Sequence, residues 1–356
     1  MTLNVYKHKT VLVTGSTGFK GSWLCFWLKK LGANVIGIGL KPEKNSFIFN
    51  SLNLNRQIKQ YYFDIRYQKK IDHVVKKEKP QIIFHLAAQS VVLKSIINPV
   101  ETFETNIFGS LNILEAFKNN NINSLVFCTS DKCYENKEWI WGYRETDQLG
   151  GKDPYSASKA GAEIIFSSYF RSFLNNSEKV KLGSVRAGNV IGGGDYKENR
   201  IIPDMIKSII RNKSLVLRSP YSTRPWQHVL DPLHGYLILG SYLLKNKLKT
   251  ELPSWNFGPD IKDLYDVNYI AKTFIKKWNS KIKIKKLNNK SKNESNLLQL
   301  NSEKAKLELG WKPVLRINDT LDFTYQWYYD YFINKKSAID ITDKQIDMFM
   351  KKNENN

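Results

Sequence analysis

A glycine-rich turn close to the N-terminus constrains the fold of this chain more than any other feature. The apolar run Thr10–Thr14 leads into the sequence Gly-Ser-Thr-Gly-Phe-Lys-Gly at positions 15–21, and a helical stretch follows from Ser22 to Leu31. A short apolar run of this kind is typical of a buried parallel strand. Glycines between a strand and a helix let the backbone bend sharply and approach a pyrophosphate, which the free N–H groups of the helix terminus bind. The residues predicted to bind the dinucleotide are Gly15, Thr17, Gly18, Phe19 and Gly21.

Further strand-like runs alternate with helical stretches over the first half of the chain. The predicted strands are Asn34–Gly39, Gln60–Ile65, Gln81–His85, Ser124–Thr129 and Lys181–Val185, and the predicted helices are Tyr67–Lys79 and Pro99–Phe117. This alternation predicts an α/β fold with a doubly wound parallel Rossmann sheet. Ligands of such sheets lie beyond the carboxyl ends of the strands. A glycine-rich turn without a ligand is the alternative at positions 15–21.

Charge and composition bear on whether the chain binds nucleic acid, a membrane or a metal, and on the compartment in which it works. The net charge of +22 is compatible with nucleic-acid binding, yet the basic residues are mostly lysines scattered along the chain, and we predict no nucleic-acid partner. The longest apolar candidate, Tyr236–Leu244, is shorter than the ~18–20 residues of a membrane span, so no membrane partner is predicted. The N-terminus does not resemble a signal peptide. The three cysteines are an odd number without paired metal spacing, and together with the missing signal this favours reduced thiols in the cytoplasm. The five histidines suggest no metal site.

Polar residues with catalytic potential follow the fifth predicted strand. Thr129, Ser130, Asp131 and Lys132 stand at its carboxyl end, and Tyr155-Ser-Ala-Ser-Lys159 begins the next helical stretch. Residues four apart lie on one face of a helix, so the Lys159 ammonium can approach the Tyr155 phenol. A cation there lowers a phenol pKa that starts near ~10, and this favours a base that acts near neutral pH.

Several longer runs carry a family resemblance from about Thr10 to about Pro313. The general pattern comprises Gly15–Gly21, Asp64-Ile65, His85–Gln89, Asn106 and Tyr155-x-x-x-Lys159, and the narrower pattern comprises Thr14–Leu24, Thr129–Asn136, Arg186–Asp195 and Arg224–Val229. On these residues the chain resembles the extended short-chain dehydrogenase/reductase family, and within it the CDP-glucose 4,6-dehydratase branch. The resemblance implies a redox-neutral lyase that uses NAD and converts CDP-glucose to a 4-keto-6-deoxy sugar nucleotide and water.

The same resemblance implies roles for individual residues. Tyr155, helped by Lys159 and Ser130, removes the O4 proton while a hydride leaves C4 for NAD, and the hydride later returns to C6. Asp131 protonates the departing O6 hydroxyl. Related dehydratases commonly carry Asp-Glu where this chain has Asp131-Lys132, and we hypothesise that Lys132 is the C5 base or steers the enolate.

Cofactor and substrate contacts are also implied by the resemblance. The implied cofactor residues beyond the glycine turn are Asp64, Ile65, Leu86, Ala87, Ala88, Gln89, Asn106, Thr129, Tyr155 and Lys159. The implied substrate residues are Asn189, Arg200 and Arg224, whose guanidinium groups suit a diphosphate. The acid usual after the second strand is replaced by Leu40-Lys41-Pro42, with Glu43 the nearest acid, which leaves the choice between NAD and NADP open.

The chain organisation follows from these assignments. We predict an NAD-binding Rossmann domain at 1–188, a smaller C-terminal α/β lobe for the nucleotide sugar at 189–338, with segments that interleave, and a polar tail at 339–356 that frays from Asp340. The resemblance implies a homodimer or homotetramer through helices Pro99–Phe117 and Tyr155–Phe173, and a place in deoxysugar and surface-polysaccharide biosynthesis. The alternatives are a dehydratase or 4-epimerase for another nucleotide sugar, and a non-catalytic dinucleotide-binding module.

Overall fold

The computed structural model describes residues 3–42, 47–174, 181–246, 250, 252–260, 264–286 and 297–355. Within them the strands are β1 Thr10–Thr14, β2 Asn34–Gly39, β3 Lys59–Tyr62, β4 Ile82–His85, β5 Ser124–Cys128, β6 Lys181–Arg186, β7 Val190–Ile191, β8 Leu215–Leu217, β9 Thr223–Arg224, β10 Gln227–His228, β11 Ser254–Asn256, β12 Tyr265–Asp266 and β13 Ile284–Lys286.

The α-helices of the described residues are α1 Phe19–Lys30, α2 Phe47–Ser51, α3 Leu54–Gln57, α4 Gln68–Glu78, α5 Val92–Ile97, α6 Pro99–Phe103, α7 Gly109–Asn119, α8 Pro154–Tyr169, α9 Ile201–Ile210, α10 Leu230–Lys245, α11 Val267–Lys277, α12 Glu303–Leu309, α13 Ile317–Phe332 and α14 Ala338–Glu354. Short 3-10 helices cover Leu3–Tyr6 and Asp131–Cys133, and π-helical turns cover Glu104–Phe108 and Phe170–Leu174. No described helix is both long enough and apolar enough to span a membrane.

The main sheet has seven strands in the order β11-β6-β5-β4-β1-β2-β3, and every neighbouring pair is parallel. The chain moves outward from β1 to β3, then crosses back to β4 on the other side of β1. Connections that leave β1 and β4 in opposite directions open a crevice beyond the carboxyl ends of these two strands. The predicted doubly wound α/β fold is confirmed.

Two hydrophobic cores lie on opposite faces of this sheet because successive strand residues point to opposite sides. On β1, Val11 and Val13 belong to the core beneath α1, α10 and α14, whereas Leu12 belongs to the core beneath α4, α7 and α8. Helices on both faces bury all the strands of the centre of the sheet, which explains why their sequences are continuously apolar.

The second half of the chain forms smaller sheets around the crevice. β7 pairs with β10 and β8 with β13 in parallel, and β9 pairs with β12 in antiparallel orientation. One strand of this half, β11, instead extends the main sheet beside β6. The division at residue 188 stays a prediction, and β11 is a segment that interleaves.

The prediction that the tail frays from Asp340 is wrong. α14 runs from Ala338 to Glu354 and buries Ile341, Ile346 and Phe349. The Phe349 ring packs edge-on against Trp27 of α1 at 5.7 Å between ring centroids. Apolar residues on one face anchor this helix although its overall composition is polar.

Candidate active site

The crevice opens into a cavity of about 940 Å³ beyond the carboxyl ends of β1, β4, β5 and β6. Its lining includes every predicted catalytic and substrate residue and all but one of the predicted cofactor residues. These are Gly15, Thr17, Gly18, Phe19, Gly21, Asp64, Ile65, Leu86, Ala87, Ala88, Gln89, Thr129, Ser130, Asp131, Lys132, Tyr155, Lys159, Asn189, Arg200 and Arg224.

The glycine turn presents bare backbone to one end of this cavity. Gly15 has a φ of 72°, and a Cβ there would lie 2.8 Å from the Ala87 backbone nitrogen. A Cβ on Gly21 would overlap the Gly15 carbonyl oxygen. No described side chain caps α1 at Gly18, so the first N–H groups of the helix face the cavity. A close backbone cradle at an uncapped helix start fits the pyrophosphate of a dinucleotide.

Asn106 is the predicted cofactor residue that does not line the cavity. Its Oδ1 accepts from the Gln89 N–H at 2.8 Å, and its Nδ2 donates to the Gln89 carbonyl and to Ser158 Oγ at 3.0 and 2.8 Å. The residue sits in the π-helical turn Glu104–Phe108, a kind of distortion that is frequent at functional sites. Asn106 therefore ties the cavity loop at Gln89 to helix α8.

Residues that follow β2 and β3 line the cavity beside the glycine turn. β3 ends at Tyr62, before its predicted end at Ile65, so Asp64 follows the strand. The Asp64 carboxylate accepts a hydrogen bond from Arg66 Nη2 at 2.9 Å. Leu40 and Lys41 line the cavity after β2, and Thr17 Oγ1 donates to the Leu40 carbonyl at 3.1 Å. Glu43, the nearest acid in the sequence, lies outside the described residues.

The catalytic candidates meet where β5 ends and α8 begins. Ser130 caps the short helix Asp131–Cys133: its Oγ accepts from the Lys132 N–H at 3.3 Å and donates to Asp131 Oδ1 at 2.9 Å. Helix α8 starts at Pro154, and the Asp153 carboxylate caps it by accepting from the Ser156 N–H at 3.0 Å. This start places Tyr155 in the first turn and Lys159 one turn later, both against the cavity.

Burial controls the proton affinity of the Tyr155–Lys159 pair. It raises the pKa of Tyr155 to about 12, although a hydrogen bond with Ser130 acts in the opposite direction. It lowers the pKa of Lys159 to about 8, and the neighbouring Lys20 lowers that pKa further. The prediction that the Tyr155 pKa falls below its ordinary value is therefore wrong for the chain by itself, because loss of water around the phenolate outweighs nearby positive charge.

Asp131 lies against Gly188, a residue that we did not predict to shape the site. A Cβ at position 188 would overlap Asp131 Oδ2. That oxygen is buried and has no hydrogen-bond partner among the described residues. An unsatisfied buried carboxylate oxygen beside a reaction cavity is suited to a substrate hydroxyl. A glycine after Arg186-Ala187 was the only sequence signal of this close approach.

The predicted substrate residues line the same cavity. Arg200 forms an ion pair with Asp195 at 2.9 Å and donates to Ser90 Oγ at 3.3 Å, and Arg224 donates to the Thr223 carbonyl at 2.7 Å. An adjoining cavity of about 210 Å³ is lined by Lys132, Asn189, Arg200, Arg224 and a further arginine, Arg218. We did not predict Arg218, which donates to Asn199 Oδ1 at 3.0 Å. Clustered guanidinium groups suit an anionic diphosphate.

Comparisons with known proteins agree with this geometry. Residues 12–324 match the family model described as GDP-mannose 4,6 dehydratase. The CDP-glucose 4,6-dehydratase of Salmonella typhimurium is 42% identical over 330 residues, which cover 91% of this chain and 92% of that protein. The chain belongs to the GDP-mannose 4,6 dehydratase family. The resemblance to nucleotide-sugar dehydratases is thereby confirmed.

Solved structures outside this close relationship share the fold of this 4,6-dehydratase family member. An epimerase from Methanothermobacter thermautotrophicus superposes with a TM-score of 0.80 at 22% identity, covering 94% of this chain and 96% of the other. The dTDP-glucose 4,6-dehydratase from Bacillus anthracis, solved in complex with NAD, has a TM-score of 0.76 at 22% identity and covers 93% and 99%. Within the described residues, no group of three or more His, Cys, Asp or Glu could hold a metal ion.

Proposed function

We propose that this chain is an NAD-dependent hydro-lyase that converts CDP-glucose to CDP-4-dehydro-6-deoxyglucose and water. The observation that carries the proposal is one cavity that holds both an oxidation set, Ser130, Tyr155 and Lys159, and an elimination set, Asp131 and Lys132. A relative 42% identical over almost the full length of both chains is a CDP-glucose 4,6-dehydratase, which supports the substrate.

The cofactor residues are the glycine turn, the loop Leu86–Gln89 and the Tyr155–Lys159 pair. Bare backbone at Gly15 and the uncapped start of α1 suit the pyrophosphate. When bound, NAD supplies a hydride acceptor for C4, a hydride donor for C6 and a positive ring that favours the Tyr155 phenolate. We assign NAD as the cofactor. Lys41 lies where the acid after the second strand is usual, so NADP is tested beside NAD as a control.

The chain's own groups carry the proton transfers. Tyr155 accepts the O4 proton as the C4–H bond breaks, and Ser130 donates a hydrogen bond beside it. The resulting 4-ketone acidifies C5–H, and Lys132 removes that proton. Asp131 protonates O6, so water leaves, and the proton held by Lys132 returns to C5 as the hydride reaches C6. The proton that Tyr155 took from O4 replaces the one that Asp131 gave up, which restores the starting state. Substrate oxidation at C4 and reduction at C6 balance, so the reaction consumes no reductant.

Substrate binding is assigned to the arginines that line the cavity. We assign Arg200, Arg224 and Asn189 to the nucleoside diphosphate, with Arg218 as a further candidate, since guanidinium groups pair bidentately with phosphate oxygens. The ion pair of Arg200 with Asp195 holds that guanidinium in place at the cavity.

The quaternary assignment is a homodimer or homotetramer formed through α6–α7 and α8. The surface of these neighbouring helices exposes large apolar side chains, with Val100 68% and Phe108 59% exposed on one side and Ile164 58% exposed on the other. Apolar groups of this size favour burial against a second copy. Light scattering after gel filtration measures the assembly, and a monomer would contradict it. A cytoplasmic location and a role in deoxysugar and surface-polysaccharide biosynthesis remain part of the proposal.

Incubation of the purified protein with a panel of nucleotide hexoses tests the proposed function. Mass spectrometry should show loss of one water from CDP-glucose, with NAD and not NADP supporting turnover, and absorbance should show no build-up of NADH. A product of unchanged mass would instead identify a 4-epimerase, and stoichiometric NADH would identify a net dehydrogenase. Cofactor binding without turnover of any sugar would identify a non-catalytic module.

A further inference from the structure

His85 is a buried histidine at the end of β4 to which the proposed mechanism assigns no role. The residue is 1% exposed and does not line the cavity. Its Nδ1 lies 2.7 Å from Oγ1 of Thr14, its register partner on β1, and its Nε2 lies 2.9 Å from Ser110 Oγ on α7. Both ring nitrogens therefore have hydroxyl partners, and no acid of the described residues makes a hydrogen bond or ion pair with His85.

The surroundings of the His85 ring keep it neutral. Burial and, after it, the positive charge of Lys159 lower the pKa of His85 to about 3. A neutral imidazole carries one N–H, so one ring nitrogen donates a hydrogen bond and the other accepts one. Which nitrogen carries the hydrogen follows from the bonds that the two neighbouring hydroxyls make.

The partner hydroxyls determine the tautomer of His85. Ser110 donates its only hydroxyl hydrogen to the Asn106 carbonyl at 2.7 Å, so Ser110 Oγ accepts from His85, whose Nε2 carries the hydrogen. Nδ1 then accepts from the Thr14 hydroxyl, and Thr14 Oγ1 accepts from the Ala87 N–H at 3.2 Å. The hydrogen bonds thus run in one direction, from the Ala87 N–H through the neutral imidazole to the Asn106 carbonyl. The side chains of the His85 network are Thr14, His85, Ser110 and Asn106.

The His85 network holds the loop after β4, which lines the cavity at Leu86–Gln89. One end of the network binds the Ala87 N–H, and the other binds both the N–H and the carbonyl of Gln89, at 2.8 and 3.0 Å. The Ala87 backbone also packs against the glycine turn, since a Cβ on Gly15 would lie 2.8 Å from its nitrogen. None of the four network side chains lines the cavity. The network therefore fixes the spacing between this loop and the glycine turn without itself contacting a ligand.

We propose that His85, as a neutral imidazole with its hydrogen on Nε2, is a positioning residue for the dinucleotide: it holds the loop Leu86–Gln89 at the distance from the glycine turn that the cofactor requires. The inference rests on the assignment of NAD under the proposed function. Backbone groups that are fixed before a ligand binds lose less conformational freedom on binding, which raises the affinity. Loss of the network should therefore weaken NAD binding and leave the contacts to the sugar nucleotide in place.

The tautomer can be measured on the wild-type full chain. Long-range hydrogen–nitrogen NMR spectra of protein labelled with nitrogen-15 in its histidines distinguish a ring nitrogen that carries hydrogen from one that does not. Comparison with His85→Gln identifies the His85 signals among those of the five histidines. We expect hydrogen on Nε2 and none on Nδ1 from pH 8 down to pH 5, since the pKa of His85 is about 3. The opposite tautomer, or an imidazolium in this range, would overturn the inference.

Calorimetric titration with NAD tests the positioning role without relying on turnover. Thr14→Val removes the acceptor of the Ala87 N–H at nearly constant shape, and the Kd for NAD should rise about tenfold because that N–H loses its partner. His85→Gln can place an N–H near Ser110 but has no acceptor in place of Nδ1, so its Kd should rise by a similar factor. The double variant should lose little more than either single variant, because both substitutions break the same series of bonds. Thr14→Ser keeps the hydroxyl and should keep the wild-type Kd.

Several results would contradict the positioning role. Unchanged NAD affinity in Thr14→Val and His85→Gln would overturn it, and so would losses that add in the double variant. An equal rise in the KM for CDP-glucose at saturating NAD would show a general distortion of the site instead. A wild type that binds no NAD would overturn the assignment of the cofactor, and the inference with it.

Thr324→Val is the matched control for these substitutions. Thr324 is buried on α13, donates its hydroxyl to the Thr320 carbonyl at 2.7 Å and does not line the cavity, so this variant should keep the wild-type Kd for NAD. A rise in its Kd equal to that of Thr14→Val would overturn the inference. Thermal unfolding shows which variants are folded, and the NMR measurement on the wild type tests the tautomer whatever the variants do.

Discussion

At the scale of single residues, Lys132 carries the sharpest hypothesis about the chemistry. Its backbone N–H is held by Ser130 Oγ, so the turn is fixed without help from the Lys132 side chain. Lys132→Met should therefore keep the fold and lower the rate of C5–H exchange with solvent and of water loss about 10²-fold or more, because a positioned base is lost. Exchange is measured as deuterium incorporation in D2O by mass spectrometry.

A neighbouring lysine provides the control for this substitution. Lys137 lies over the Trp139 ring at 5.3 Å and does not line the cavity, so Lys137→Met should exchange at the wild-type rate. Undiminished exchange in Lys132→Met would remove Lys132 from the role of base and leave it a part in steering the enolate.

Gly188 supports a second prediction at this scale. Because a Cβ at position 188 would overlap Asp131 Oδ2, Gly188→Ala must displace the carboxylate that we assign to O6 protonation. A shift of about 1 Å in a catalytic group can lower a rate about 10²-fold, so kcat should fall by that order while NAD affinity is retained. Steady-state kinetics and cofactor titration measure the two effects.

The matched control is Gly258→Ala, where the added Cβ would lie 3.2 Å from Leu300 Cβ and outside the cavity lining. It should retain most of kcat. Wild-type activity in Gly188→Ala would show that Asp131 accommodates the methyl group without consequence for the chemistry.

Sequence reasoning identified the site residues that are close to one another in the chain. It missed a site residue that reaches the others only through folding. Tyr155 and Lys159 follow from helical spacing, and Ser130 follows from its place at a strand end. Gly188 meets Asp131 only after segments far apart in the chain have folded together. The Tyr155 pKa was predicted in the wrong direction for the same reason, since burial is a property of the assembled site.

At the scale of elements, a buried ion pair joins α8 to the main sheet. Arg186 Nη2 at the end of β6 lies 2.7 Å from Glu163 Oε2 on α8, with the two side chains 3% and 1% exposed. Glu163 also accepts from the hydroxyl of Thr129, next to the catalytic turn. The pair thus links the helix that carries Tyr155 to the strand ends that carry Ser130.

Removal of one partner should be strongly destabilising. Glu163→Gln preserves the side-chain shape but leaves the Arg186 cation buried without a counter-charge, so we expect the free energy of unfolding to fall by about 3–5 kcal/mol. Denaturant unfolding measures the loss. The double variant Glu163→Gln/Arg186→Met removes both charges and should recover part of it, which a double-mutant cycle quantifies. A single-variant loss below about 1 kcal/mol would contradict the importance of the pair.

The elements themselves were predictable to different degrees. Alternating apolar runs located β1 to β6 because buried parallel strands leave a continuous signal. The π-helical turns after α6 and α8 were not foreseen, since Pro99–Phe117 and the stretch after Tyr155 have ordinary helical patterns. α14 was missed because its charged and polar residues hide the buried face that carries Ile341, Ile346 and Phe349.

At the scale of the whole molecule, the position of the site could be predicted and its enclosure could not. A doubly wound sheet places ligands beyond its strand ends whatever the details of its loops. Addition of β11 to the main sheet and the packing of α14 on α1 depend on pairings across the length of the chain. These pairings hold the second half of the chain around the cavity, and no periodic pattern in the sequence announces them.

Asp231 on α10 allows the packing between distant parts of the chain to be tested. Its Oδ1 accepts from the Val314 N–H at 2.7 Å and from the Leu315 N–H at 3.4 Å, which ties α10 to the segment leading into α13. Its Oδ2 is buried and has no hydrogen-bond partner among the described residues. Burial raises the pKa of this carboxyl to about 7, against the opposing effect of the two backbone N–H groups.

The raised pKa of Asp231 predicts a loss of stability with rising pH. The folded chain holds the Asp231 proton up to about pH 7, whereas the unfolded chain releases it near ~3.9, so the stabilisation is complete below pH ~4 and is lost as the pH rises to about 7. The total is on the order of 4 kcal/mol. Asp231→Asn does not titrate, so its Tm relative to the wild type should rise between pH 5 and pH 8, as calorimetry can measure. The exposed Asp340→Asn is the control and should track the wild type at both pH values. Parallel Tm profiles for Asp231→Asn and the wild type would show instead that Asp231 is ionised in the folded chain throughout this range.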